Sequence, residues 1–306
     1  MFDIISIGAG TVDIFVKSTD LVLKDNLLGI AASSKNEISD SLICSGGGAT
    51  NTATSFARLG LKSSCVSLLG NDPFSLIVIN ELKANHVDPS LIIQDDNNTD
   101  FSVILVSQNG SRGILTNRGH SALSDNNIIW DKLSQTEWLY ITSLEGNLNL
   151  LEQLIGFAQE HSIKVAFNPG NREIADPSYL QSLLNHVDFL LLNKNESETL
   201  VGISTSDEKF WDKLASFGAK ISAVTNGREG AYILNDNHKL YSPIINTFPV
   251  DETGAGDSFG SAFIAGQFYH LSLQDSLFWG IKNSASVVSY LGAKSGLLTL
   301  ERIKQK

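Results

Sequence analysis

Cysteine is scarce in this chain, which has two among 306 residues, Cys44 and Cys65. Two unpatterned cysteines are too few for a disulfide framework or a cysteine-based metal site, and they are typical of a reducing compartment. Basic residues are also in the minority, with 22 Lys and Arg against 33 Asp and Glu, and the net charge is −11. Because nucleic-acid binding draws its affinity from clustered Lys and Arg, we predict no nucleic-acid partner.

Long apolar runs are absent as well. Nowhere do 18 apolar residues follow one another, and the apolar N-terminus carries Asp3 and Asp13 and lacks a basic leader region. We therefore expect a soluble, cytoplasmic protein with no membrane partner.

Three common motifs are missing or incomplete. No G-x-x-x-x-G-K-[ST] occurs, which excludes a P-loop kinase at the motif level, and Gly8-Ala9-Gly10 lacks the third glycine of a dinucleotide fingerprint. Gly256, Ser258 and Gly260 fit the G-x-S-x-G elbow of α/β-hydrolases. In those enzymes an acid and then a histidine follow the serine, but no Asp or Glu lies between Ser258 and His270. The order argues against a hydrolase.

What the chain does contain is a regular alternation of apolar strand-like runs and helical patterns. Strands at 64–69, 138–142, 164–167 and 189–192 alternate with helices such as 73–85 and 147–160. This alternation predicts a doubly wound, mainly parallel α/β sheet. Two β-rich passages, 11–45 and 101–116, interrupt it and predict a second, small sheet.

The stretch Asp251 to Phe263 indicates a chemistry. Gly254, Ala255 and Gly256 precede Asp257 and an apolar run, which is the pattern of a loop entering a helix. Such a loop can direct several backbone amides at one phosphate, and the carboxylate beside it can take a proton from a hydroxyl. A tight turn with Asp257 as an ordinary cap explains the same pattern.

Two further stretches permit both a structural and a functional interpretation. Three glycines from Gly46 to Gly48 lead into a helix that contains Asn51. They are either a flexible helix cap or a loop whose backbone comes close to a bound small molecule. Asn193 and Glu196 stand three apart after a buried strand. They fit a helix cap as well as a metal-water cluster.

The stretch D-E-T-G-A-G-D, residues 251–257, resembles the C-terminal signature D-T-x-G-A-G-D of the PfkB (ribokinase-like) family of carbohydrate and nucleoside kinases. The passage from Gly46 through Asn51 to the A-R-L-G at 57–60 resembles the N-terminal signature of that family. Glu252 departs from the small residue that is usual there. The resemblance implies a ribokinase-like three-layer α/β/α fold with a β-sheet lid. It divides the chain into a core (1–10, 45–95 and 119–306) and a lid (11–44 and 96–118) that often forms a homodimer contact.

The resemblance also implies roles for single residues in an ATP-dependent kinase that acts on a small sugar or sugar derivative. Asp257 is then the catalytic base and Gly254, Ala255 and Gly256 the anion hole. Substrate contacts are Asp13, Gly46, Gly47, Asn51 and Glu145. Nucleotide contacts are Asn193, Thr225, Gly227 and Asn283. Glu196 organises Mg²⁺ through water, and Asp251 is a candidate ligand of a monovalent cation such as K⁺.

Two alternatives stay open on the same scaffold. A nucleoside kinase would read a base with lid aromatics, for which Phe15 or Phe101 could serve. A catalytically silent sugar-binding regulator would not need Asp257. Arg112 and Arg118, in the second lid passage, could either meet an anionic substrate group or be solvated surface charges.

Overall fold

A computed structural model describes residues 1–25, 27–108, 111–118, 122–236 and 238–305. The strands are β1 Phe2–Ile7, β2 Thr11–Lys17, β3 Val22–Lys24, β4 Leu27–Gly29, β5 Asp40–Gly46, β6 Ser63–Gly70, β7 Ile92–Asp95, β8 Phe101–Val106, β9 Arg112–Asn117, β10 Thr136–Ile141, β11 Lys164–Phe167, β12 Phe189–Asn193, β13 Ile221–Thr225, β14 Ala231–Asn235 and β15 His238–Ser242. The helices are α1 Gly48–Arg58, α2 Pro73–Ala84, α3 Trp130–Leu133, α4 Leu148–Glu160, α5 Asn171–Ile174, α6 Pro177–Leu184, α7 Lys194–Val201, α8 Phe210–Ala215, α9 Ala255–Phe268, α10 Leu273–Val287 and α11 Leu300–Lys304.

The main sheet has the strand order β15-β14-β13-β12-β11-β10-β1-β6-β7 in the described part of the chain. From β13 to β7 all neighbours are parallel. The last two strands, β14 and β15, add antiparallel hairpin pairs at one edge. The predicted mainly parallel, doubly wound sheet is confirmed, and the carboxyl ends of β1, β10, β12 and β13 share the edge where ligands of such sheets bind.

Side chains of the central strands alternate between two apolar cores, which makes three layers. In β10, Leu139 and Ile141 face a core completed by α4, α6, α7 and α8, whereas Trp138 and Tyr140 face a core completed by α1, α9 and α10. Parallel strands covered on both faces are buried throughout, as β6 shows with eight buried residues, three of which are serines. Helix α9 therefore starts at the ligand edge of the sheet and runs along its covered face.

The second sheet has the order β5-β2-β8-β9 and joins the two β-rich passages. Strands β2 and β8 pair in parallel at its centre, and each has an antiparallel partner outside it. The predicted small sheet from two excursions is confirmed, although β5 runs to Gly46, two residues past the expected lid boundary. A separate hairpin of β3 and β4 lies in the first excursion. Within the described ranges, no helix has the length and apolarity needed to cross a membrane.

Candidate active site

The loop from Asp251 to Gly254 ends where α9 begins. Gly254 is the N-cap with a left-handed backbone, φ 76°, and a Cβ there would lie 2.5 Å from Cβ of Ala293. Ala255 and Gly256 face a cleft, and a Cβ on Gly256 would meet nothing within 4 Å. The first amides of a helix have no partner within it. Gly254 thus provides the turn and the close packing. The Ala255 amide donates to Glu252 O at 3.2 Å, so the open helix end begins at Gly256.

Asp257 is the third residue of α9 and is partly buried beside helix α1. The side-chain amide of Asn51 donates to Asp257 Oδ2 at 2.8 Å, which joins two segments 206 residues apart. Burial raises the pKa of Asp257, against the opposing effects of the Asn51 hydrogen bond and the Lys294 charge. Burial, and then the charge of Asp257, raise the pKa of the neighbouring Tyr140 well above its ordinary value. A carboxylate with a raised pKa is suited to accept a proton near neutral pH.

The glycine-rich loop before α1 is pressed against the ends of the core strands. A Cβ on Gly46 would lie 2.2 Å from Asp13 Oδ2, one on Gly47 2.4 Å from the carbonyl of Ala9, and one on Gly48 2.8 Å from Thr142. Only glycine allows this approach, and Gly47 has φ 89°. The structure therefore brings Asp13 and the predicted substrate loop into contact. Burial raises the pKa of Asp13 too, with Lys294 acting against it.

Lys294 is a site residue that the sequence did not reveal. Its ammonium group is buried and donates to Ser45 O at 2.8 Å, Ser45 Oγ at 2.6 Å and Thr50 Oγ1 at 2.9 Å. Burial lowers the pKa of Lys294, while Glu81 is the largest of the neighbours that raise it. These bonds fix the C-terminal turn to both ends of the glycine-rich loop.

Glu145 lies in a strained loop after β10 and makes an ion pair with Arg172 at 3.1 Å. Its backbone is left-handed, φ 58°, which is unusual for a residue with a side chain. The fully buried Glu173 holds this loop, because its carboxylate accepts from the backbone amides of Leu144 and Gly146, each at 2.8 Å. Glu173 is another site residue that no sequence motif reveals. Its only local signal is its position as the third residue of α5, where it accepts from the backbone amide of Gly170 at 2.8 Å.

A cleft of about 650 Å³ lies on the other side of the α9 terminus. Its walls include Asn193, Glu196, Thr225 and Gly227, four of the residues predicted to meet nucleotide or metal. Asn193 and Thr225 are partners in the β12–β13 register. Asn193 and Glu196 form a reciprocal capping box, with bonds of 2.8 and 2.9 Å. The cap does not exclude a second role, since the carboxylate lines the cleft and burial raises its pKa.

Asn283 lies elsewhere than predicted. It is fully buried in α10 and does not line the cleft. Its amide donates to Ser258 O at 2.9 Å and Ser55 Oγ at 3.2 Å and accepts from the Leu298 amide at 2.9 Å. The family resemblance implies that Asn283 contacts nucleotide. In the structure α10 borders the cleft through Ile281, Ser284 and Ala285, which lie on another helical face.

The hydrolase alternative finds no support at Ser258. This side chain is buried inside α9, where its hydroxyl donates to Ala255 O at 2.9 Å. A nucleophile elbow instead exposes its serine at a sharp strand-to-helix turn.

The cleft and the surroundings of Asp251 are candidate sites for two different metal ions, Mg²⁺ and K⁺. Among the described residues, no group of three or more His, Cys, Asp or Glu could hold an ion. Mg²⁺ usually keeps several waters and takes one or two carboxylates plus substrate phosphates, and Glu196 offers one carboxylate on the cleft wall. The fit of K⁺ to Asp251 is poor, because a guanidinium, that of Arg112, is already bonded to this carboxylate.

Comparison with known proteins identifies the family. The model of the pfkB family carbohydrate kinases matches residues 11–300. This chain belongs to that family. Curated relatives of this pfkB chain include an ATP-dependent 6-phosphofructokinase of Thermoanaerobacterium thermosaccharolyticum, 25% identical over 85% of this chain and 83% of the relative. A ribokinase of Staphylococcus aureus is 25% identical over 85% of this chain and 87% of its own.

Solved structures confirm the ribokinase-like fold. A putative ribokinase II from E. coli has a TM-score of 0.85 at 22% identity and covers 99% of this chain and 98% of its own. An Arabidopsis thaliana ribokinase complexed with ribose and ATP has 0.82 at 19% identity, over 99% and 97%. An adenosine kinase from Sinorhizobium meliloti has 0.81 at 22% identity, over 98% of each chain.

Proposed function

We propose that this pfkB-family kinase transfers the γ-phosphate of ATP to a hydroxyl of a small sugar. The observation that carries the proposal is the hydrogen bond between Asn51 and Asp257. It joins the glycine-rich loop, which contacts Asp13, to the start of α9, whose other side opens on the cleft. A hydroxyl held at the loop and a phosphate held in the cleft would thus meet at Asp257.

Asp257 acts as general base, taking the proton of the attacking hydroxyl. Its raised pKa supports this role, because proton transfer is efficient when the pKa of the base lies near the working pH. Ala255 and Gly256 present the N-terminus of α9 to the transferring phosphate, and Gly254 sets the turn that positions it. Charge that develops on the phosphate oxygens is stabilised there without movement of the loop.

The remaining residues bind and orient. Asp13, Gly46, Gly47, Asn51 and Glu145 hold the sugar, while Asn193, Thr225 and Gly227 hold the nucleotide. Glu196, on the cleft wall, would hold Mg²⁺ through water, and the bound ion would supply positive charge to the phosphates of ATP. The cytoplasmic location and the lack of a nucleic-acid partner stay predictions.

The lid aromatics favour a sugar over a nucleoside. Phe15 is 1% exposed, and the Phe101 ring packs on Phe74 with 5.1 Å between centroids. The Phe15 ring is therefore covered, and the Phe101 ring already has an aromatic partner. A panel of pentoses, hexoses, sugar acids and nucleosides, read out by ADP release, tests this preference. Turnover of a nucleoside above every sugar would replace the proposal by a nucleoside kinase.

The base is tested by Asp257→Asn. We expect turnover to fall by roughly 10² to 10⁴, the usual contribution of a positioned general base, with little change in nucleotide affinity. Asn keeps the shape of the side chain but cannot take the proton. Single-turnover phosphoryl transfer and thermal melting are measured together.

Asp275→Asn is the matched control, because Asp275 is the third residue of the adjacent helix α10, as Asp257 is of α9. It should leave turnover intact. Wild-type turnover in a folded Asp257→Asn protein would refute the mechanism and would favour a capping role or a sugar-binding regulator.

A further inference from the structure

Arg112, in strand β9 of the second sheet, reaches across to the loop that precedes the anion hole. Its guanidinium donates through Nη1 to Asp251 Oδ1 and through Nη2 to the carbonyl of Val250. Asp251 and Val250 lie 139 and 138 residues after Arg112 in the sequence. The Asp251 side chain is fully buried and that of Arg112 is 24% exposed. The charge of this arginine is therefore committed to one buried partner.

Protein donors also take the other acceptor positions of Asp251. Oδ1 accepts from the Thr253 amide at 2.9 Å and the Thr253 hydroxyl at 2.7 Å, and Oδ2 accepts from the Gly292 amide at 2.8 Å. Burial raises the pKa of Asp251, but these hydrogen bonds and the Arg112 charge outweigh it, so the pKa lies below its ordinary value. The group is a carboxylate whose counter-charge comes from the chain.

A monovalent metal ion at this position would need the same oxygens. Alkali ions bind carboxylate and carbonyl oxygens, and here both kinds, on Asp251 and Val250, face N–H donors of a cation. An ion bound there would also lie against a guanidinium, at a distance where like charges repel strongly in a buried site. The two cations exclude each other.

We infer that the Arg112 guanidinium takes the place of a monovalent cation, so that this enzyme works without K⁺. Arg112 is then a positioning residue. It fixes Asp251, Asp251 fixes Thr253, and the next residue is Gly254, the left-handed cap that aims the anion-hole amides. A guanidinium suits this task because it stays charged at every working pH and donates in a fixed planar fork.

The test rests on the proposed kinase activity and also has a readout that does not. Activity and melting temperature are measured in KCl and in tetramethylammonium chloride at equal ionic strength, for the wild type, Arg112→Ala and Arg112→Lys. Wild-type values should agree in the two salts. Arg112→Ala should lose roughly tenfold or more in kcat, as a misaimed site does, with the nucleotide KM little changed.

Rescue separates positioning from mere stability. Added methylguanidinium, or KCl in place of tetramethylammonium chloride, should restore part of the kcat and of the melting temperature of Arg112→Ala. The control is Arg302→Ala, which removes the charge of an exposed side chain on α11 and should respond to neither cation. Arg112→Lys, which keeps the charge and the long stem, should retain more activity than Arg112→Ala. If Arg112→Ala does not fold, Arg112→Lys is the variant on which the test is made.

Three results would overturn the inference: wild-type activity or melting that requires K⁺, full activity in Arg112→Ala, or a loss that no cation restores. If no substrate is turned over at all, the proposed function fails, but melting of the wild type and of Arg112→Ala in the two salts still decides the role of Arg112.

Discussion

Asp257 shows how a single carboxylate is tuned by opposing effects. Burial disfavours its charge, whereas the Asn51 amide and the buried ammonium of Lys294 favour it. Lys294 acts in the same direction on Asp13, so one internal cation serves both the predicted base and the predicted substrate ligand. In both carboxylates burial outweighs the Lys294 charge, so the pKa of each stays raised.

The raised pKa of Asp257 has a consequence for stability. Because the folded-state value lies above the ordinary one, the folded protein binds more protons than the unfolded chain between these two values, and stability falls as pH rises across that interval. Asp257→Asn removes this loss of stability, because the Asn side chain does not ionise. We expect the variant to melt above the wild type at neutral pH, with a difference that shrinks on acidification towards the ordinary Asp pKa of about 3.9.

Thermal melting of both proteins at a series of pH values measures the difference. The remaining buried carboxylates are common to the pair and cancel. A difference that is constant with pH, or of the opposite sign, would contradict the raised pKa.

Sequence alone could predict those site residues that lie within one short motif. The run from Gly254 to Asp257 and the run from Gly46 to Asn51 are each contiguous, and each carries its own backbone signal of loop and helix start. Lys294 gives no such signal, and the local signals of Glu173 and Arg112 do not identify their partners. Their partners lie up to 249 residues away, and the direction of a buried side chain depends on packing that no local pattern encodes.

Among the elements, the loop between β10 and α4 depends most on a single distant side chain. Glu173, from the start of α5, accepts the amides of Leu144, Gly146 and Gly170, each at 2.8 Å. Without the Glu173 carboxylate, these backbone N–H groups would lack this hydrogen-bond acceptor. The left-handed conformation of Glu145 is kept in this way, since strain persists only where the surroundings enforce it.

Glu173→Gln should therefore act on the loop as a unit. The amide group keeps the size of the side chain but replaces one acceptor oxygen by a donor, so the free energy of unfolding should fall by about 1–3 kcal/mol. If Glu145 contacts the sugar, the KM for sugar should rise more than the KM for ATP. Denaturant titration and steady-state kinetics measure the two effects.

Glu160→Gln, on the exposed end of α4, is the control and should change neither quantity. An equal rise of both KM values would instead indicate general damage to the active site.

The elements themselves were predicted well where periodicity is strong and poorly where it is not. Apolar runs and helical periods in the core were long enough to identify most strands and helices there. The order of the second sheet could not be predicted, because the parallel β2–β8 pair is formed by strands about 90 residues apart in sequence, and pairing at that range depends on the core beneath it. The β3–β4 hairpin is only three residues per strand, too short to show alternation.

On the scale of the whole molecule, the second sheet carries an apolar face that points away from Asp13. The registers align Ile43, Ile14, Val103 and Leu115 in one row across its four strands. Ile43 is 55% exposed and Leu115 is 65% exposed. Apolar side chains clustered on one exposed face are typical of an interaction surface. We propose that this face forms the homodimer contact that the family resemblance predicts.

A charge on this face should separate the subunits. Leu115→Glu would bury a carboxylate in an apolar contact, so the variant should have the mass of one chain by light scattering where the wild type has that of two. Leu76→Glu, at a similarly exposed leucine on α2, should leave the wild-type mass unchanged. A wild type with the mass of one chain at every concentration would exclude the dimer.

The hydrogen bond between Asn51 and Asp257 also has a consequence for the nascent chain during its synthesis on the ribosome. At the usual 5–20 residues per second, the ribosome needs on the order of ten to forty seconds to add the 206 residues that separate the two partners. During that time the glycine-rich loop already exists, but the predicted base, the predicted anion hole and Lys294 have not been made. A nascent chain can therefore bury its central strands long before it can transfer a phosphate, and phosphate transfer begins only after the last helices leave the exit tunnel.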